Sequence, residues 1–441
     1  MSFLDILIYP IYVAIFYYLF SLRRKRYTDP ILQHYHKIGF WIKAFSAIAF
    51  TIFNYYISWG DSAGLYYTEG VNIYHLILKD SEHVKWIFMP GIEFDQTLLQ
   101  NSLNQGYFRA ENNYMVARVV TIFAFFCFGK YSLINLCFSM LAYIGVWRLF
   151  RFFYSQFPHL HKELAISILY LPTFVFWASG ILKDPLCICC LGLITYSLYD
   201  GLYNRKNIIT NAIIILAAGY MLSVLKIYIL VSYLPFFFLF LLLKNIELIK
   251  SRFLKIMIVI GLIGGSMVMF TGIVSKLTET LGDYTGEGGI TGGVAKFQNS
   301  YRESASSFSL GVEFDGSLTS LAKVAPAAVI ATFYRPFLWE SRSISTLLSS
   351  FESLFFMFFT LAVLKKYGIK HFISCCRKEP IVIYCLLFSL LFALFVGATT
   401  RNFGSLVRYK IPCMPFYLIA FYVIQDKGKK NSPKVIEAVE K

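Results

Sequence analysis

The chain has 441 residues, of which 57% are hydrophobic, 18% aromatic and only 15% charged, against roughly 25% charged in an ordinary soluble domain. With 44 Phe and 31 Tyr at that charge density, the composition excludes a soluble enzyme, a disordered scaffold and a disulfide-stapled secreted domain, and it points to a bilayer. The net charge of +16 is what the basic cytoplasmic loops of membrane proteins accumulate, so it implies no nucleic-acid partner.

A bilayer core of about 30 Å needs roughly 20 apolar residues per crossing helix. Residues 3–20 have no basic start and no small-residue cleavage site after them, so they read as a retained helix rather than a secretory signal. The further clear stretches are 39–58, 164–182, 185–203, 208–225, 229–243, 256–275, 348–364, 381–397 and 411–425. The long apolar run 114–149 is ambiguous, and 318–334 is short and carries Lys323 and Pro326.

Basic loops set orientation. Arg23, Arg24, Lys25, Arg26 and Lys37 follow the first helix, which puts that loop in the cytoplasm and the N-terminus outside. Arg148/Arg151/Lys162, Arg205/Lys206, the 244–255 cations, the 365–378 cations and the tail 426–441 also read as cytoplasmic. Two long polar segments, 59–112 and 276–317, are net acidic and belong outside. Parity then makes 114–149 one full span plus a half-buried helix, and 318–334 re-entrant or interfacial. The expectation is an all-α polytopic membrane protein with a single transmembrane domain over 1–441. It has about eleven spans, up to about thirteen if the doubtful pieces cross.

The nine cysteines suggest no redox chemistry. Cys187, Cys189 and Cys190 lie in an apolar run, where thiols act as small hydrophobes. Cys187 and Cys190 have CxxC spacing without a second CxxC, and the His34/His36 and His159/His161 pairs fall in basic loops, so no metal site is expected. The Gly-rich stretch 282–293 lacks the Gly-Lys-Ser/Thr ending of a phosphate loop. It reads as a plain flexible loop or a mobile lid over an external site.

The informative residues are those the topology makes costly. Asp61, just after the second helix in Gly60-Asp61-Ser62, sits at the outer membrane surface. It reads as a helix N-cap, as a general base facing a lipid-linked substrate, or as both. Lys183 and Asp184 lie between two spans, ahead of Pro185, as an interfacial ion pair or as groups projecting into a polar cavity beside Asp61. Lys226 joins two spans almost without a loop, and Arg335, Arg342, Arg401, Arg408 and Lys410 fall on the outside face against the positive-inside trend. Protein carboxylates such as Glu340 or Glu352 can balance them, or they can clamp phosphate, whose oxygens match an arginine fork. Lys43 sits near a cytoplasmic helix end, where it can snorkel. Arg118 and Lys323 are the charges that could support transport.

Gly60-Asp61-Ser62 with Tyr66-Tyr67, and Leu171-Pro172 through Trp177 to Asp184, resemble the GT-C superfamily of integral-membrane glycosyltransferases, in its mannosyltransferase-like branch. The stretches Tyr334 to Glu340 and Asn402 to Pro412 resemble relatives from polysaccharide gene clusters. The long external segment here follows the second helix rather than the first, and Ser62 stands where many members have a second acid.

The resemblance implies glycosyl transfer on the non-cytoplasmic face of a bacterial inner membrane. The donor would be a polyprenyl-phosphate-linked sugar and the acceptor a lipid or a growing glycan. Asp61 would be the base, with Asp184 as a second catalytic acid. Lys183, Lys226, Arg335, Arg401 and Arg408 would contact the donor phosphate. No cofactor is required, although a divalent metal is allowed. The rivals are a lipid-linked glycan polymerase or ligase and, from another class, a flippase or transporter.

Overall fold

In this computed structural model, residues 3–58, 60–244, 252–283, 307–311 and 317–430 are described, and every named element among them is a helix. They form two compact units, Met1–Ile227 and Tyr228–Lys441.

The first unit opens with α1 (Phe3–Arg24) and α2 (Pro30–Ile52). Asp29 caps α2 by accepting the Ile31 N–H at 2.8 Å, and Pro30 fills the first position, where no N–H is needed. α2 runs on into a π-helical turn, Phe53–Ser58.

The segment expected as a polar loop at 59–112 is largely helical. It holds a π-helical turn (Ser62–Tyr67), α3 (Thr68–Lys79), a 3-10 turn (Ser81–Ile87), α4 (Gln96–Asn101) and α5 (Gln105–Phe108). It has its own buried apolar residues, Trp86, Ile92, Leu98 and Phe108. Asp95 caps α4 and pairs with Lys85 at 2.8 Å; that bond holds its carboxyl down at about 2. Glu69 is fully buried and accepts the Leu103 N–H at 2.9 Å, and burial pushes its carboxyl above the usual range.

This layer is fastened to α6 (Glu111–Cys127). The Tyr114 hydroxyl donates to Trp86 O at 2.7 Å, Arg118 to Met89 O at 2.7 Å and Thr121 to Gly70 O at 2.9 Å. Arg118, a charge considered for transport, is therefore buried as a brace between α6 and this layer.

The ambiguous run 114–149 divides at Phe128 and Gly129, both at positive φ, into α6 and α7 (Tyr131–Gln156). Of the two, only α7, about 39 Å long, is long and apolar enough to cross a membrane.

The expected span 164–182 is not one helix. It forms α8 (His161–Ile168) and α9 (Pro172–Trp177), followed by non-helical backbone to Leu182. Pro172 starts α9 and forces Leu171 out of the helical region. Gly180 lies where a Cβ would come within 2.0 Å of the Phe50 ring. Lys43 does not snorkel. It is buried, and its ammonium donates to Val175 O at 3.3 Å, Ser179 Oγ at 2.7 Å and Ala178 O, capping the end of α9 from inside the bundle.

α10 (Lys183–Leu198) then crosses α7 at the distance of backbone contact. A Cβ on Gly192 would stand 1.9 Å from Gly145 O, and one on Gly145 2.3 Å from Cys189 O. Small residues permit this approach, which packs helices where lipid offers no hydrophobic drive between them. The two spans expected at 208–225 and 229–243 are two helices that meet at a kink at Lys226 (φ −154, ψ 74); together they are called α11 (Ile208–Lys244).

The second unit contains α12 (Arg252–Asp283), α13 (Leu318–Tyr334), α14 (Ile344–Lys378), α15 (Pro380–Thr399), α16 (Phe403–Tyr409) and α17 (Met414–Lys430). α13 lies against α15: Thr332 donates to Ala393 O at 2.8 Å, and a Cβ on Gly397 would meet Ala328 O at 2.3 Å. Tyr233, Phe237, Tyr384, Phe388 and Phe416 fill the space between the end of α11, α15 and α17. Most of the Gly-rich stretch, from residue 284 on, lies outside the described residues, as does the tail from 431.

The all-α, polytopic membrane class stands, but the count of about eleven spans does not follow from these helices. Six described helices are long and apolar enough to cross, or seven if α16 and α17, which meet at 62°, make one span. The expected span 164–182 is not among them, because it is broken into α8 and α9. Gly192→Val should drive a side chain into the α7 backbone and lower stability by about 3 kcal/mol, read as a lower thermal midpoint in detergent. Gly219→Ala, which meets open space, should leave the midpoint unchanged; equal midpoints for both variants would contradict the close crossing.

Candidate functional site

Asp61 occupies the cap position of the π-helical turn Ser62–Tyr67 but makes no side-chain capping hydrogen bond, and it is half-buried. The turn behind it is fixed. Ser62 is fully buried with its hydroxyl 2.8 Å from the Tyr131 hydroxyl, and the Tyr67 hydroxyl donates to Gly129 O at 2.8 Å. Tyrosines crowd this turn: Tyr67 and Tyr55 both pack on Tyr131, and Tyr107 donates to the Tyr66 hydroxyl at 2.8 Å. Tyr56, beside Tyr55, is exposed.

The second predicted acid is anchored to the same helix, α7. One turn after Tyr131, fully buried Asn135 accepts the Ile181 N–H at 2.8 Å and donates to Thr51 Oγ1 at 3.0 Å. Residues at i and i+4 share one helix face, so one face of α7 holds both the turn after Asp61 and the backbone leading into α10. Lys183 opens α10 half-buried, and Asp184 follows it, buried. Asp184 Oδ1 accepts from Lys226 Nζ at 2.6 Å, and Lys226 is itself only 8% exposed. The break at Lys226 is thus where α11 presents a cation to the start of α10. Asp184 is thus in an ion pair, with Lys226 as a partner.

Arg335, Arg401 and Arg408 belong to the second unit. Arg335 is held by Glu340 in a two-pronged pair and lies over Phe308 and Phe403, 4.9 and 5.1 Å from their centroids. It also donates to Ser309 O at 3.3 Å. Glu340 accepts the Phe337 N–H as well. The protein-carboxylate reading thus describes Arg335. Lys410 is fully buried and donates to Ser353 Oγ at 2.9 Å and Arg335 O at 3.1 Å. Arg401 is buried, and its carbonyl accepts the Phe308 N–H at 2.9 Å, beside a bridge between Ser307 and Asn402. Arg408 lies half-buried on α16.

The structure therefore brings Asp184 to Lys226, and Arg335 to Arg401 through residues 307–309. Sequence reasoning passed over Asn135 and read Lys43 as snorkelling; a polar residue inside an apolar run was the available signal in both cases. Among the described residues no group of His, Cys, Asp or Glu gathers that could hold a metal ion. No known family model, curated protein or solved structure matches the chain.

Removing one partner of a buried ion pair strands the other charge, whereas replacing both by apolar groups is often nearly neutral. Lys226→Met should lower stability by about 3–5 kcal/mol, and Asp184→Leu combined with Lys226→Met should recover most of it. Thermal unfolding in detergent checks this, and a double variant as unstable as the single one would contradict the pairing.

Proposed function

We propose that this chain is a membrane-embedded glycosyltransferase that moves a sugar from a polyprenyl-phosphate carrier to a lipid or glycan acceptor, with Asp61 as the general base. The observation that carries the reading is the setting of Asp61. Its half-buried carboxylate stands at the start of a turn that is pinned to Tyr131 and that tyrosines pack against. Tyrosine pairs an apolar ring face with a polar tip, a combination suited to a sugar, which has C–H faces and hydroxyl edges.

In the proposed step Asp61 takes the proton of the acceptor hydroxyl, which requires hydrogen-bond reach. The acceptor oxygen bonds to the anomeric carbon as the bond from that carbon to the phosphate oxygen breaks, and the phosphate leaves on its lipid. Lys183, half-buried on the first turn of α10, is the first unit's candidate for stabilising that phosphate. The reading places the reaction at the outer face of a bacterial inner membrane.

A second reading, a flippase or transporter of lipid-linked glycans, also has an observation in its favour. Lys43, Asp184 and Lys226 are buried in apolar helices, and ionisable groups at such positions often mark a transport path. Here they are engaged: Lys43 caps α9, and Asp184 pairs with Lys226. That engagement favours a structural use of these charges and leaves chemistry to Asp61.

Asp61→Asn should abolish sugar transfer by the purified protein in detergent while expression and thermal midpoint stay as in the wild type. Full activity in the variant would remove Asp61 from the mechanism. Activity seen only in sealed vesicles would favour the transporter.

A further inference from the structure

The second unit contains a cleft of about 950 Å³ that the sugar-transfer reading does not use. Its walls come from the end of α11, the start of α12, the last part of α14 and the start of α15. Ile256, Ile260 and Ile373 give it an apolar lining, and Lys370, Arg377 and Lys378 border it with positive charge.

A glycine creates this arrangement. α14 runs through the apolar residues 347–364, then breaks at Gly368, whose φ of +80 and ψ of 159 an L side chain rarely adopts. The ten residues after the break are a short amphipathic segment. It is fastened to α17 by the imidazole of His371 at 3.0 Å from Ile424 O and by Phe372 packing on Phe421. The basic end of that segment meets Pro380, the first residue of α15, whose N-terminus adds the positive end of a helix dipole. Among the described residues the ion pairs formed nearby are Lys427–Glu379 and Lys430–Asp426. Neither takes up Lys370, Arg377 or Lys378, all three of which are exposed.

An apolar slot between membrane helices, rimmed by cations where those helices reach the interface, matches a molecule with a hydrocarbon tail and a phosphate head. Basic pockets between transmembrane helices hold anionic headgroups in this way. We propose that this cleft is a binding site for an anionic phospholipid, with an acyl chain against Ile256, Ile260 and Ile373 and the phosphate between Lys370, Arg377 and Lys378. The site is independent of Asp61 and of the sugar-transfer reading.

The test is titration of the delipidated full chain in detergent with dioleoyl phosphatidylglycerol, followed by native mass spectrometry. Dioleoyl phosphatidylcholine and inorganic phosphate serve as comparison ligands. Wild-type protein should retain phosphatidylglycerol and not phosphatidylcholine, and millimolar phosphate should not displace it. The variant Lys370→Gln/Arg377→Gln/Lys378→Gln should bind it roughly a hundredfold more weakly, given the contribution of each cation near an anionic headgroup. Ile260→Trp, which fills the slot and keeps every charge, should also lose retention. Equal retention of the two lipids, wild-type retention by either variant, or displacement by phosphate alone would each overturn the proposal. Thermal midpoints of both variants without lipid should match the wild type. If either midpoint falls, Lys370→Gln alone must still weaken phosphatidylglycerol binding selectively, and failure to do so overturns the site.

Discussion

Backbone that leaves the helix inside an apolar bundle must find its hydrogen bonds within the protein, because no water is there to supply them. In this chain the constraint falls on the stretch from Ala178 to Leu182. Lys43 collects the carbonyls at the end of α9, and Asn135 takes the Ile181 N–H. Gly180 removes the side chain that would collide with Phe50. Much else in the first unit follows from this break. It sets where α10 begins, which buries Asp184, and a buried carboxylate needs the cation that Lys226 brings from the irregular turn of α11.

The same helix face that carries Asn135 carries Tyr131, which fixes the turn after Asp61. One short stretch of α7 thus holds two irregular pieces of chain, one just after Asp61 and one just before Asp184. α7 in turn is held against α10 by the glycine-to-backbone contact of Gly145 and Gly192. A rigid helix that supports two loop-borne groups is how a site keeps its geometry. The buried charges of the first unit hold the support together, and Asp61, the proposed base, stands half-buried beside it.

The class of fold was legible because it rests on composition: a chain this apolar and this poor in charge points to a bilayer, and six described helices are long and apolar enough to cross one. The division of 114–149 was foreseen in outline from parity, although Phe128 and Gly129 decide its position by backbone conformation. Length and hydropathy misled at 164–182, where Leu171-Pro172 and Gly180 were the break signals inside an otherwise apolar run. The join of two helices at Lys226 was legible as a charge between two apolar stretches, but not that this charge is answered by a residue 42 positions away. Partners at such separation leave no periodic trace in a single sequence. The helical layer over 60–110 was hidden for a similar reason. Its net acidity suggested a loop, while its order comes from Trp86, Phe108 and Glu69 packing and bonding out of sequence order.

Hydrogen–deuterium exchange of the amides from Ala178 to Leu182, in detergent, tests the support most directly. The account predicts slow exchange there in the wild type. It predicts much faster exchange in Asn135→Ala and Lys43→Met, with the middle of α7 still protected in both. Protection of the 178–182 amides that is unchanged in both variants would contradict it.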